Sequence, residues 1–388
     1  MFFSANDLLW LLLPLAAASG WLVARLEQKR RTRQSFDLPS AYFKGLNFLL
    51  NEQPDKAIEV FIRVLEVNSD TVETHLALGN LFRRRGEVER AIRIHQNLIA
   101  RPTLDREQRS LALLELGQDY LKAGLLDRAE NLFQELAEIR AHSEQALKLL
   151  LHIYQQEKEW EKAITVARKL ARVSGRDMNS MIAHFYCELA ELDYTHHNHA
   201  SARERLKLAL VADDKCVRAS MLLGDIDARE GNYREAIGHW QRIEQQDIHY
   251  IGEVAERIAE GFRRMDNDQG LYDYFRVSLR RHGGVSLALT FADIINSREG
   301  AEAAEKFIVE WLRRAPNVHG LHKLLEINLV KAKDSARNDL LMLKGIIEEL
   351  RTQHLGYACG ECGFKGKSLH WLCPGCNHWN TIKPVREE

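Results

Sequence analysis

The chain has 388 residues, 45% of them apolar, with 54 Lys and Arg against 55 Asp and Glu and a formal net charge of −1. This is ample material for a sizeable core, and the balanced charge excludes the strongly basic surface of a dedicated nucleic-acid binder. Of its six cysteines, four are paired as CxxC; Cys187 and Cys216 fall inside helical patterns with no obvious mate and read as small buried apolar side chains.

The first segment, Leu8 to Ala24, carries no charge, and Arg25, Lys29, Arg30, Arg31 and Arg33 follow it. A cleaved signal peptide carries its positive charge before the apolar run, whereas here the only charge before it is Asp7. Its seventeen residues rise about 26 Å as a helix, a little short of a hydrocarbon core of about 30 Å, and Met1-Phe2-Phe3 can extend the contact. Trp10 and Trp21 sit near the two ends, where indoles favour the interface, and Pro14 is of a kind that membrane helices tolerate. The pattern predicts a single transmembrane anchor over 1–24 and a basic juxtamembrane linker over 25–37. The positive-inside rule puts the N-terminus outside and the bulk of the chain in the cytoplasm.

From residue 38 to 350 the organisation is repetitive. A small residue, an aromatic or large apolar residue three later, an alanine twelve after the small one and a bulky residue four beyond it recur along the chain. The first copy is Gly45, Phe48, Ala57 and Phe61; the second, Gly79, Phe82, Ala91 and His95; the third, Gly117, Tyr120, Ala129 and Phe133. A degenerate fourth has Leu151, Tyr154, Ala163 and Ala167, a weak fifth Ala190, Ala202 and Leu206, and a clear sixth Gly224, Ala236 and Trp240. Ala259, Phe262 and Phe275 suggest a seventh, Ala292, Ala304, Ile308, Trp311 and Pro316 an eighth, and Leu321 to Leu350 one or two capping helices. Gly86, Gly124 and Gly231 fall where the chain must reverse between helices.

This pattern resembles the tetratricopeptide repeat family, whose unit is a 34-residue helix–turn–helix. The resemblance implies an all-α superhelical solenoid of about nine repeats, with a groove lined by the first helix of each pair and suited to an extended peptide or a partner helix. Arg83, Arg84, Gln118, Lys122, Lys148 and His152 would then face the groove and could clamp a carboxylate or acidic peptide. Arg83-Arg84-Arg85 equally suits a solvated cluster at a helix end. His196-His197-Asn198-His199 has a metal-like composition but falls in an expected turn.

The C-terminal module, 351–388, carries the most specific signal. Cys359-Gly-Glu-Cys362 and, ten residues on, Cys373-Pro-Gly-Cys376 form two knuckles that can converge four thiolates on one tetrahedral metal ion, zinc or iron. Four protein ligands leave no open position for water or substrate, so a structural role is the default. His370 and His378 are near enough to compete as ligands, although four well-spaced cysteines suffice. So short a segment buries little core, so metal binding would supply its folding energy. Tyr357, Phe364, Trp371 and Trp379 are expected to pack it onto the last helices. The knuckles resemble those of rubredoxins and zinc ribbons. Gly366-Lys367-Ser368 imitates the end of a phosphate loop, but Glu361 stands where its first glycine belongs, and no HExxH, nucleophile elbow or kinase signature occurs. No catalytic residue is expected.

In order, the anchor with its LLPLAAASGWLVAR run, the repeats and the CGECGFKG and WLCPGCNHW segments resemble the lipopolysaccharide assembly protein B family of Gram-negative bacteria. That resemblance implies a non-enzymatic adaptor at the bacterial inner membrane with its N-terminus in the periplasm. It implies regulation of lipopolysaccharide synthesis through degradation of the lipid A deacetylase by the membrane-anchored AAA+ protease FtsH, and binding to an inner-membrane regulator that senses lipopolysaccharide. Homo-oligomerisation is left open. Two other readings fit the residues: a scaffold coupling lipopolysaccharide synthesis and transport enzymes without a proteolytic role, and a metal or redox sensor.

Overall fold

The computed structural model describes Trp21 and residues 40–51, 53–67, 72–353 and 356–385. The anchor and linker expected over 1–37 lie outside these residues, Trp21 apart; among the described residues no helix is long and apolar enough to cross a membrane. The chain forms two compact units, 1–149 and 150–388.

In the first unit, α1 (Ser40–Leu50) and α2 (Pro54–Val67), α3 (Val72–Arg84) and α4 (Val88–Ile99), and α5 (Arg106–Lys122) and α6 (Leu126–Glu138) pack as consecutive helix pairs, and α7 (Ser143–Gln156) crosses the unit boundary. The repeat pattern has a direct steric cause. A Cβ on Gly45 would lie 2.6 Å from the Phe61 ring, one on Gly79 2.3 Å from His95 and one on Gly117 2.4 Å from Phe133, so the small residue of each first helix is the socket for the bulky residue of its second. Ala57, Ala91 and Ala129 are fully buried and let the second helix approach as closely from its own side. The helix reversals at Gly86 and Gly124 take φ of +84° and +75°, which glycine alone adopts without strain. Asp105 starts α5 with a capping box, accepting from the Gln108 amide.

His95 occupies the socket that phenylalanine fills in the neighbouring repeats, and an imidazole buried at 0% exposure needs a partner. Its Nδ1 donates to Asp119 Oδ2 at 2.5 Å; Asp119 Oδ1 takes Arg83 Nη1 at 2.7 Å, and Arg83 Nη2 reaches Glu115 Oε2 at 2.6 Å. Arg83 is therefore neither a groove clamp nor part of a solvated cluster. It is a half-buried bridge from α3 to α5, because the two carboxylates of the next repeat neutralise it.

In the second unit, α8 (Trp160–Ser174) is followed by the pairs α9 (Asn179–Thr195) with α10 (His199–Ala212) and α11 (Val217–Arg229) with α12 (Tyr233–Gln241). A short α13 (Ile243–Gln246) and a 3-10 turn (Ile248–Tyr250) precede α14 (Ile251–Arg264) and α15 (Asp268–His282), then α16 (Val285–Glu299) with α17 (Ala301–Arg314) and α18 (Val318–Lys331) with α19 (Asp334–Gln353). Gly224 is the socket for Trp240, with a built Cβ 2.3 Å from the indole. Cys187 and Cys216 are buried at 0% and 2%, as their apolar contexts imply, but they are not solitary: their Sγ atoms lie 3.9 Å apart where α9 meets the start of α11. His196 and His197 are exposed in the α9–α10 turn, and His199 Nδ1 pairs with Glu230 at 3.1 Å. The chain closes with a three-stranded antiparallel sheet of β1 (Tyr357–Cys359), β2 (Lys365–Gly366) and β3 (Ile382–Pro384) in the order β2–β1–β3. Tyr357 stands opposite both Gly366 and Pro384, and Cys359 opposite Ile382.

Asp119→Ala leaves the buried His95 Nδ1 without its carboxylate and the half-buried Arg83 with Glu115 as its remaining acidic partner. Breaking a buried ion pair costs about 3–5 kcal/mol, and we expect a loss of that order in urea denaturation of the variant, against under about 1 kcal/mol for the exposed i,i+4 pair when Glu59→Ala removes the partner of Arg63.

Candidate metal centre and its seat

The two knuckles are built by backbone hydrogen bonds rather than by a core. In the first, the Cys359 amide donates to Phe364 O at 2.8 Å and the Gly363 amide to Cys359 O at 3.1 Å, with Gly363 at φ +74°. In the second, the Cys373 amide donates to His378 O at 3.0 Å and the Asn377 amide to Cys373 O at 2.9 Å, with Asn377 at φ +55°. Gly375 is needed for the approach of the two, since a Cβ there would sit 3.1 Å from Cys362 Sγ. All four Sγ atoms lie within 4.8 Å of one another, with Cys359 to Cys376 at 3.8 Å and Cys362 to Cys373 at 3.6 Å.

Those separations test the fit directly. Four sulfurs about 2.3 Å from a central ion form a tetrahedron with edges of about 3.8 Å. The site therefore fits one four-thiolate metal ion, and neither the spacing nor the ligand set selects zinc over iron. The protonation chemistry agrees. The Thr381 hydroxyl 3.3 Å from Cys359, together with the Cys362 and Glu361 amides, holds that thiol down to about 6. Burial, with the neighbouring cysteines beside it, pushes Cys376 up to about 12. Four thiolates at this spacing repel one another unless a cation is shared, so metal binding and ionisation are one event. His370 Nε2 is hydrogen-bonded to Ser368 Oγ at 3.1 Å, and neither it nor His378 belongs to the four-sulfur cluster.

The module is seated on the middle of the second unit, not on its last helices. Trp379 Nε1 donates to Gln155 Oε1 at 2.9 Å, and its ring meets Trp160 and Phe185 edge-on and stacks on His184 at 5.2 Å and 21°. Trp371 stacks on Tyr250 at 5.5 Å, the Tyr250 hydroxyl donates to Ile382 O at 2.8 Å, and the Tyr357 hydroxyl to Glu253 Oε1 at 2.9 Å. Lys383 Nζ closes the rim on Asp247 at 2.8 Å. Phe364 instead packs inside the module against its own sheet. The expectation of the last helices followed chain proximity. Buried indoles and phenols need apolar walls and a polar partner for each N–H or O–H, and Gln155, His184, Tyr250 and Glu253 supply these on α7, α9, the 3-10 turn and the start of α14. The aromatics that the repeat pattern leaves unused, Trp160, Phe185 and Tyr250, were the signal that could have found this seat.

His184 is 1% exposed between the two tryptophans. Burial first, and the nearby Arg218 second, depress its pKa to about 3, so it is a neutral wall of the seat.

Five further residues are those the repeat pattern assigns to a groove. Arg84 and Lys122 are exposed on α3 and α5, Gln118 is half-buried on α5, Lys148 is paired with Glu144 at 2.6 Å and His152 is exposed on α7.

Comparison with known proteins agrees with this architecture. Residues 357–384 match the model of a rubredoxin metal binding domain, and 74–110 and 187–249 match tetratricopeptide repeats. The chain is 39% identical to lipopolysaccharide assembly protein B of Escherichia coli (strain K12) over 98% of both chains. The chain belongs to the lipopolysaccharide assembly protein B family. A second member, from Haemophilus influenzae, is 34% identical over 98% of this chain and 99% of its own. Among solved structures, Naa15/Naa10 bound to HypK-THB is similar at TM-score 0.42 and 13% identity over 82% of this chain and 52% of that one. This chain thus has repeats and the four-cysteine module together, joined within 150–388 through an aromatic seat.

Two outcomes follow for the centre. Cys359→Ser with Cys362→Ser removes half the ligands and should take bound metal, measured by mass spectrometry, from one ion per chain to under about a tenth, in line with folding energy supplied by the ion. For His184 the folded pKa lies below the unfolded 6.5, so its neutral burial contributes fully above pH 6.5 and is lost as pH falls toward 3. At about 1.4 kcal/mol per unit, its share of the loss between pH 6.5 and 5 is about 2 kcal/mol. The drop in urea midpoint over that range should be correspondingly smaller in His184→Phe than in the parent.

Proposed function

We propose that the chain is a non-enzymatic, membrane-tethered adaptor that restrains lipopolysaccharide synthesis by presenting the lipid A deacetylase to the membrane-anchored AAA+ protease FtsH. The observation that carries this is identity at 39% across 98% of a lipopolysaccharide assembly protein B. Tetratricopeptide solenoids bind partners along their first helices, and an S4 metal site without an open position offers no catalytic metal chemistry.

The uncharged run before Arg25 would hold the scaffold at the inner membrane with its N-terminus in the periplasm and the repeats in the cytoplasm. Confinement to the plane in which a membrane protease works raises effective concentration without a tight pairwise contact. An inner-membrane regulator that senses lipopolysaccharide would act through the same anchored assembly. Within 150–388 the chain's own module covers the seat on α7, α9 and α14, so partner binding falls to exposed first-helix positions such as Arg84 and Lys122 in the first unit.

Deleting residues 1–24 should leave the repeats folded and metal-loaded while the half-life of the deacetylase, followed after translation is stopped, lengthens toward that of a strain lacking the protein. A deacetylase half-life that is the same with and without the protein would remove the proteolytic role and favour a scaffold for synthesis and transport enzymes. Full activity of the truncated form would instead remove the confinement argument.

A further inference from the structure

Cys187 and Cys216 take no part in the metal centre, yet their sulfurs meet at 3.9 Å, one on α9 and the other at the N-cap of α11. Two thiols placed only for packing would be enclosed by apolar side chains. These two share the field of a buried cation: Arg218 is 4% exposed, with Nη1 on Glu188 at 2.8 Å and Nη2 on Glu191 at 2.9 Å. The pair is also asymmetric. Cys216 stands where the first amides of a 13-residue helix lack carbonyl partners, a place that favours a thiolate. The hydrogen bond from Cys187 first, and the Ala219 amide after it, hold Cys216 below the ordinary thiol range against the effect of burial, whereas burial above all pushes Cys187 up. One sulfur is prepared as a nucleophile, and the other is kept beside it as a thiol.

We propose that Cys187 and Cys216 are a modification site, oxidised by hydrogen peroxide to an intramolecular disulfide and returned to thiols by a dithiol reductant. The Cys216 thiolate attacks one peroxide oxygen and the O–O bond breaks, leaving a sulfenic acid; the departing hydroxide takes up the proton that Cys216 lost and leaves as water. The Cys187 sulfur then attacks the sulfenic sulfur, the S–O bond breaks, and the Cys187 proton leaves with the hydroxyl as a second water. Two sulfurs give up one electron each, and together they reduce the peroxide. At 0% and 2% exposure the pair excludes bulky disulfide donors and admits only an oxidant near the size of water, through the turn where Asp214 and Lys215 are exposed just before Cys216. The sulfurs must close to about 2.05 Å. Cys216 has the extended backbone of a cap, φ −68° and ψ 93°, so rotation there brings them together without disturbing the helix interior.

The bond would act on the seat of the metal module. Cys187 follows His184 and Phe185 directly on α9 by three and two residues. On the other side, Gln246 Nε2 donates to Asp214 O at 2.7 Å, tying the turn before Cys216 to the end of α13, four residues ahead of Tyr250. The disulfide thus fastens the wall that holds Trp379 to the wall that holds Trp371.

The test uses the full-length protein loaded with zinc, which has no redox chemistry of its own. After peroxide treatment, alkylation and tryptic digestion, peptide 177–203 joined to peptide 216–218 should be the main form of both, and dithiothreitol should abolish it. Transfer of zinc to excess chelator should be about threefold slower from the linked protein than from the reduced one. In Cys187→Ala the rate should be the same before and after peroxide, which separates the effect from attack on the four metal ligands. The same variant should trap Cys216 as a sulfenic acid with dimedone, while Cys187 in Cys216→Ala should stay unmodified. If either alanine lowers zinc content or helicity, the comparison of linked parent with dithiothreitol-reduced parent decides. Absence of the linked peptide, linkage that leaves zinc transfer unchanged, or oxidation of Cys187 in Cys216→Ala as readily as Cys216 in Cys187→Ala would each overturn the proposal.

Discussion

Two indoles hold the C-terminal half of this molecule in register. Trp379 is wedged among Trp160, His184 and Phe185 with its N–H on Gln155, and Trp371 lies flat on Tyr250. The metal knuckles have almost no core of their own, and the described part of the sheet is only three short strands. Their geometry is thus set from below by the solenoid and from within by four thiolates that need a shared cation. Remove either support and the other loses its purpose: the seat would expose a cluster of aromatic surface, and the knuckles would be a loop of thiols.

The same economy runs through the repeats. Each pair is locked by one bulky side chain entering the space that a missing Cβ leaves, as Phe133 does over Gly117 and Trp240 over Gly224. Where the bulky residue is polar, the repeat has recruited charges to satisfy it, and the chain from His95 through Asp119 to Arg83 and Glu115 joins α4, α5 and α3. Specificity between adjacent repeats therefore rests on a few directional contacts laid over a generic apolar stack.

Much of this was legible in the sequence. Small-to-bulky spacing is a steric rule, so the sockets at Gly45, Gly79, Gly117 and Gly224 could be named without coordinates, and CxxC spacing is a bond-length rule, so the four ligands could be too. What could not be read were contacts between residues far apart in the chain. Nothing local distinguishes Arg83 at a helix end from a solvated arginine, because its partners lie 32 and 36 residues on. The seat of the module was missed for the same reason: Trp379 and Gln155 are 224 residues apart, and the last helices were merely nearer in sequence. Cys187 and Cys216 each read as an isolated apolar residue and proved to be neighbours.

The central physical claim is that the metal centre and the solenoid stabilise each other through the aromatic seat. Hydrogen exchange of the full-length protein, metal-loaded and after chelation, tests it most directly. The account predicts that chelation speeds amide exchange at least tenfold in α9 and α14, whose last residues, Thr195 and Arg264, lie 164 and 95 residues before Cys359, while α3 and α5 in the first unit are unchanged. Identical exchange of α9 and α14 in the two states would contradict it, and would reduce the module to a passenger on the repeats.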